Sequence, residues 1–136
     1  MPIRTYTATM IIPAGSSAGT VQFGAMPANA YQTSNTTQGV PCNGRLYGVM
    51  LQFGAGTMVG GTATISTADN VGPAQTLLNY VGGTSNWFYP RARSQDVNGT
   101  NIAGSLYDQY PVDSPVQLVV SGGTAGTVTA KMLMYQ

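Results

Sequence analysis

The chain has no histidine and no glutamate, one cysteine, and only five Lys or Arg against four Asp among 136 residues. Without an imidazole there is no Ser–His–Asp or Cys–His arrangement and no imidazole metal ligand. Without glutamate, two-carboxylate catalysis would have to draw on Asp69, Asp96, Asp108 and Asp113. Asp108 and Asp113 flank the short segment "DQYPVD", where a solvated turn role is the better reading. Asp69 in "ADNVG" and Asp113 before Ser114-Pro115 sit where Asp accepts backbone hydrogen bonds in turns. The lone Cys42 excludes an intrachain disulfide and a Cys-rich metal site. No His or Lys lies near it in sequence to depress its pKa, so it reads as a structural thiol. The expectation is a protein that is not an enzyme and holds no cofactor or metal; no spacing asks for Ca²⁺.

Other absences bear on where the protein works. No apolar run approaches the roughly 20 residues that span a bilayer. "MPIRTYTATMII" lacks the basic region, apolar run and cleavage site of a secretory leader. Synthesis in a cytoplasm without secretion is therefore expected, with no membrane partner. On that reading the sequons at Asn35 and Asn98 are chance. Charged residues make up 7% of the chain, against about 25% in ordinary soluble domains. Solubility then rests on Thr, Ser, Asn, Gln and Gly. Such a surface repels neighbours weakly and suits a protein that lives packed against other proteins.

What is present is β-structure in short periodic runs. Hydrophobic residues reach 43%, enough for one ordered domain over 1–136 with its own core. "RTYTATMII" (4–12) alternates, with Tyr6, Ala8, Met10 and Ile12 on one face and threonines on the other. "TVQF" (20–23) follows as a short return strand, which predicts a hairpin with a long loop. Strands are predicted over 45–53 and 62–67; 74–81 suits a strand or a single helical turn. A strand from Asn86 ends near Tyr89, because Pro90 cannot donate to a ladder. Asn98-Gly99 marks a tight turn, and 105–112 forms another short strand. Over 115–135, Val116, Leu118 and Val120 alternate, and Val128, Ala130, Met132 and Met134 answer them across Gly122-Gly123 as a final hairpin. The sum is an all-β antiparallel sandwich or jelly roll of about eight strands. Extended segments are expected at 1–5 and 26–44, the latter rich in Pro, Gly and polar residues. The seven methionines suit adaptable packing, with core filling the commoner use.

Two stretches invite a functional reading. "GAGTMVG" (54–60) misses the dinucleotide fingerprint by one residue and opens no helix, so its glycines are read as turn formers. "NWFYPRARSQDVNG" (86–99) gathers the only tryptophan, Trp87, with Phe88, Tyr89, Arg91 and Arg93. As a nucleic-acid platform it lacks charge: two arginines, with Asp96 behind them, neutralise too few phosphates. As a glycan platform, an exposed Trp87 or Tyr89 would stack on a sugar ring. As a plain strand and loop, Trp87 and Tyr89 share one face and Phe88 the other. As a protein contact, Trp, Tyr and Arg are the residues enriched at hot spots, and the arginines would pair with a partner's carboxylates. Trp87, Tyr89, Arg91 and Arg93, with Tyr31 and Arg4 from the expected arms, are the candidate interface.

"DQYPVDSPVQLVVSGGTAGTVTAKMLMY", with "WFYPRARSQDVNG" upstream, resembles the small β-sandwich capsid decoration, or cement, proteins of tailed bacteriophages. The resemblance covers about half of the chain and lies in Gly/Thr/Ala-rich strands, sparse charge and a terminal hairpin. It implies a virion structural role on the capsid surface: a homotrimer that contacts the major capsid protein and clamps capsomers, without nucleic acid. The alternative is a glycan- or receptor-binding β-sandwich module of a fibre or spike.

Overall fold

Period-two alternation with β-branched and aromatic residues drives this chain into strands rather than helices. The computed structural model describes residues 3–12, 15, 18–23, 41–68, 73–104 and 106–136. These residues form eleven strands and no helix, more strands than the eight expected. They are β1 (Ile3–Ile12), β2 (Gly19–Gln22), β3 (Cys42–Phe53), β4 (Thr62–Thr67), β5 (Thr76–Val81) and β6 (Asn86–Phe88), followed by β7 (Ala92–Arg93), β8 (Tyr107–Asp108), β9 (Pro111–Ser114), β10 (Val116–Ser121) and β11 (Gly126–Tyr135).

All pairings between these strands are antiparallel. One sheet runs β1-β11-β3, and the free edge of β3 is shared by two short strands. There β9 pairs with Cys42–Arg45 and β6 with Val49–Leu51. The second sheet runs β2-β10-β4-β5, and β7 pairs with β8 in a separate ribbon. Apart from β4 to β5, each passage along the main strands crosses from one sheet to the other. With β6 and β9 counted as one interrupted strand, this is jelly-roll order.

Both long hairpins expected from the sequence are corrected by this topology. β1 pairs with β11 and β2 with β10, so the first two strands face each other across the core instead of sharing a ladder. β10 and β11 likewise belong to opposite sheets. Two consecutive strands with matching apolar faces satisfy those faces equally well edge to edge or layer on layer. Loops longer than a two-residue turn permit the second solution. The ambiguous stretch 74–81 is a strand from Thr76. Residues 3–5 belong to β1 and 42–44 to β3, which leaves 1–2 and 26–40 of the expected arms outside the described residues.

The core is the apolar phase of both sheets. Tyr6, Ala8, Met10 and Ile12 of β1 and Val128, Ala130, Met132 and Met134 of β11 meet Val21, Ala63, Ile65, Val116, Leu118 and Val120. Met10, Met58, Met132 and Met134 are fully buried, so these four fill core. Cys42 is buried in β3, and desolvation pushes its thiol pKa up to about 11, against a smaller opposing effect from a backbone hydrogen bond with Val116.

One end of the sandwich is closed by three loops. Residues 54–61 lie against 82–85 and 122–126, tied by Met58 N–H to Thr124 O (3.0 Å), Gly82 N–H to Gly61 O (2.9 Å) and Phe53 N–H to Ser85 Oγ (2.9 Å). Gly56 and Gly60 take φ of 74° and 77°, as the turn reading of "GAGTMVG" requires. Between β6 and β9 the chain leaves the edge of β3 and makes an excursion, residues 89–110, that carries β7 and β8.

Candidate functional site

The outward phase of the first sheet is where the expected docking residues and several others come together. In a strand, alternate side chains leave opposite faces. The buried phase of β1 and β11 therefore assigns Ile3, Thr5 and Thr7, and Lys131, Leu133 and Tyr135, to the outer face. The register sets these in rows: Thr7, Lys131, Met50 and Trp87 in one, Thr5, Leu133 and Gly48 in the next, Ile3, Tyr135 and Arg45 in the third. A bulge in β3 interrupts the ladder opposite Leu133 and Met134. Its extra residue turns both Tyr47 and Gly48 outward between the inward Leu46 and Val49.

That bulge creates an aromatic cluster. Tyr47 stands edge-on to Tyr89, with ring centroids 5.8 Å apart, and edge-on to Tyr135 at 5.1 Å. Gly48 leaves room for the Tyr89 ring to cross the β3 backbone, since a Cβ there would lie 3.0 Å from Tyr89 Cδ1. Trp87 continues the stripe over Met50. The two are 42% (Trp87) and 54% (Tyr89) exposed, although Phe88 between them turns inward and packs near Tyr80. Beside Trp87 a shallow depression of about 400 Å³ is bounded by Met50, Gln52, Ser85 and Asn86. Lys131 and Arg45 are the cations on these rows, so the stripe Ile3, Leu133, Tyr135, Tyr47, Tyr89, Met50 and Trp87 is apolar and aromatic with charge at its margin.

The two arginines of the expected patch turn back on the chain. Arg91 is half-buried, and its Nη1 donates to the carbonyl oxygens of Tyr47 (3.0 Å) and Pro90 (2.8 Å). It therefore fastens the root of the excursion to the bulge. Arg93 Nη2 donates to Gly104 O (3.2 Å) and Ile102 O (3.4 Å), across the excursion. At the tip, Asp96 Oδ1 accepts from Asn98 N–H (2.9 Å) and Thr100 N–H (3.0 Å), and Gly99 takes φ 79°. Arg4 is exposed on β1 in the phase of Tyr6, away from the Trp87 row, and Tyr31 lies outside the described residues.

Sequence reasoning missed Tyr47, Met50, Leu133, Tyr135 and Ile3. For Met50, Leu133 and Tyr135 a signal was there, since the outward phases of β3 and β11 carry Met, Leu and Tyr where a solvated face carries Thr or Lys; Tyr47 shares the sequence phase of the inward Val49 and Leu51 and turns outward only through the bulge. For the catalytic candidates, Asp108 Oδ2 accepts from Ser94 Oγ at 2.8 Å, and Asp113 is exposed on β9 opposite Asn43. Asp69 lies outside the described residues. Among the described residues, no three His, Cys, Asp or Glu side chains gather where they would hold a metal ion. No family model matches the chain, and no curated protein or solved structure matches it.

Proposed function

We propose that this is a non-enzymatic virion structural protein: a capsid decoration protein that stabilises a phage head through contacts with the major capsid protein, as a homotrimer. The observation that carries the reading is the outer face of the first sheet. It offers a continuous aromatic and apolar stripe on a rigid two-layer scaffold, in a chain with charges too few to keep neighbours apart. Jelly rolls serve viral capsids, and the scarce charge and absent imidazole fit a protein whose work is contact area. Trp87, Tyr89 and Tyr47 are the anchors in this reading. Arg91 and Arg93 act indirectly, by holding the excursion that flanks the stripe. Light scattering across a dilution series tests the assembly: the expected mass is about three times the 14.1 kDa chain, and a monomer at every concentration refutes the trimer.

A second reading has its own observation. Trp87 is exposed beside a depression edged by the amides of Gln52 and Asn86, an arrangement that suits stacking on a sugar ring, and jelly rolls also serve lectins. A neutral-glycan array separates the two: saturable binding lost in Trp87→Ala favours the glycan module.

A further inference from the structure

A second depression, of about 430 Å³, lies where the excursion meets the body of the sandwich. Arg45 of β3 lines it from the body, and Arg93, Ser94, Gln95, Asp108 and Gln109 line it from the excursion. Two of the chain's five cations thus face one groove. Its one acid, Asp108, is engaged by Ser94 Oγ at 2.8 Å. Arg93 spends Nη2 on the carbonyls of Ile102 and Gly104. Among the described residues, the Arg45 guanidinium has no hydrogen-bond or ion-pair partner.

We propose that this groove binds an acidic sugar, a hexuronate or sialate residue, with its carboxylate on Arg45. A guanidinium presents paired N–H donors that match the two oxygens of a carboxylate. Arg93 adds a second positive charge, so that against the one negative charge of Asp108 the groove stays net positive and favours a carboxylate over a neutral group at Arg45. The rest of the wall consists of the amides of Gln95 and Gln109, the Ser94 hydroxyl, the Asp108 carboxylate and the apolar Ala92 and Pro111. Its polar groups supply donors and acceptors side by side, which is what adjacent ring hydroxyls need. The volume lies within the range of small-ligand sites, about 300–1,000 Å³. A bare carboxylate would use Arg45 alone; Gln95, Gln109 and Asp108 give the hydroxylated ring its partners. The inference stands apart from the capsid reading, because Trp87 and Tyr89 do not line this groove.

The test is an NMR titration of the full chain with methyl glucuronide, the methyl glycoside of N-acetylneuraminic acid, methyl glucoside and acetate. At least one of the two acidic glycosides is expected to give saturable shifts at Arg45, Arg93 and Gln95, with a dissociation constant on the order of millimolar. Methyl glucoside and acetate are expected to bind about tenfold more weakly or worse. Arg45→Gln is expected to weaken acidic-sugar binding about tenfold or more while the strand amide shifts stay in place. Arg45→Lys, which keeps the charge and loses the fork, recovers part of it. Arg93→Gln is the poorer variant because it also frees the Ile102 and Gly104 carbonyls. The proposal is overturned if neither acidic glycoside saturates, if acetate or methyl glucoside binds as well, or if Arg45→Gln binds as tightly as the parent.

Discussion

Met58 tests how the closed end of the sandwich is built. It is a non-glycine residue with φ 61°, and it is fully buried. Its N–H donates to Thr124 O and its carbonyl accepts from Gly61 N–H, both at 3.0 Å. Gly61, Gly83 and Gly123 surround it, and a Cβ on Gly123 would lie 2.7 Å from Met58 Cα. Two opposing effects therefore meet at one residue. The left-handed backbone costs a residue with a Cβ roughly 1–2 kcal/mol, and the buried side chain more than offsets that cost. Met58→Ala keeps the strain and empties the site, for an expected loss of about 3 kcal/mol and roughly 10 °C in Tm. Met58→Gly empties it a little further but relieves the strain. At an ordinary position glycine falls about 1 kcal/mol below alanine; here that order is expected to vanish or reverse. Urea unfolding of both variants, followed by far-UV circular dichroism, measures the difference. If the alanine variant is more stable than the glycine variant by about 1 kcal/mol or more, the strain argument is wrong.

Further outcomes follow from three other buried or stapled groups. Tyr6 is buried and, among the described residues, its hydroxyl has no hydrogen-bond partner, so Tyr6→Phe is expected to leave stability unchanged or raise it by about 1 kcal/mol in the same urea assay. The Cys42 thiol, with its pKa pushed up to about 11 by burial, should resist a thiol reagent at pH 8 in the folded protein and react at once in urea. Because the folded pKa lies above the unfolded one, the stability linked to this thiol is intact below about pH 9 and declines as pH rises toward 11. Arg91→Ala removes both bonds at the root of the excursion; hydrogen exchange is expected to quicken across 92–108 while β10 and β11 keep their protection, and Arg91→Lys should not restore it. Equal protection in parent and variant would rule out the staple.

The strands were legible because their alternation is strong: the inward phases of β1, β10 and β11 are the ones the sequence predicts. Strand partners were harder to read. The face of "TYTATMII" satisfies its apolar residues equally well against a ladder neighbour or an opposite layer, so periodicity alone could not separate hairpins from crossings. Trp87 and Tyr89 were expected on one face, and they lie together on it. The rest of the stripe depends on the bulge that turns Tyr47 outward and on the register that sets Met50 beside Trp87, and neither leaves a local pattern. Arg91 and Arg93 carry the opposite lesson. Their spacing invites a reading as free cations, but Pro90 and the turn at 96–100 direct both side chains onto backbone carbonyls.

Pairing with the capsid tests the central claim most directly. Purified protein is mixed with phage heads lacking their decoration protein, and the bound fraction is measured by sedimentation. The account predicts saturable binding by the parent chain. It also predicts that Trp87→Ser combined with Tyr89→Ser weakens binding at least about a hundredfold, since anchors of this kind each contribute roughly 2 kcal/mol or more. No binding by the parent, or equal binding by a folded double variant, would contradict the account.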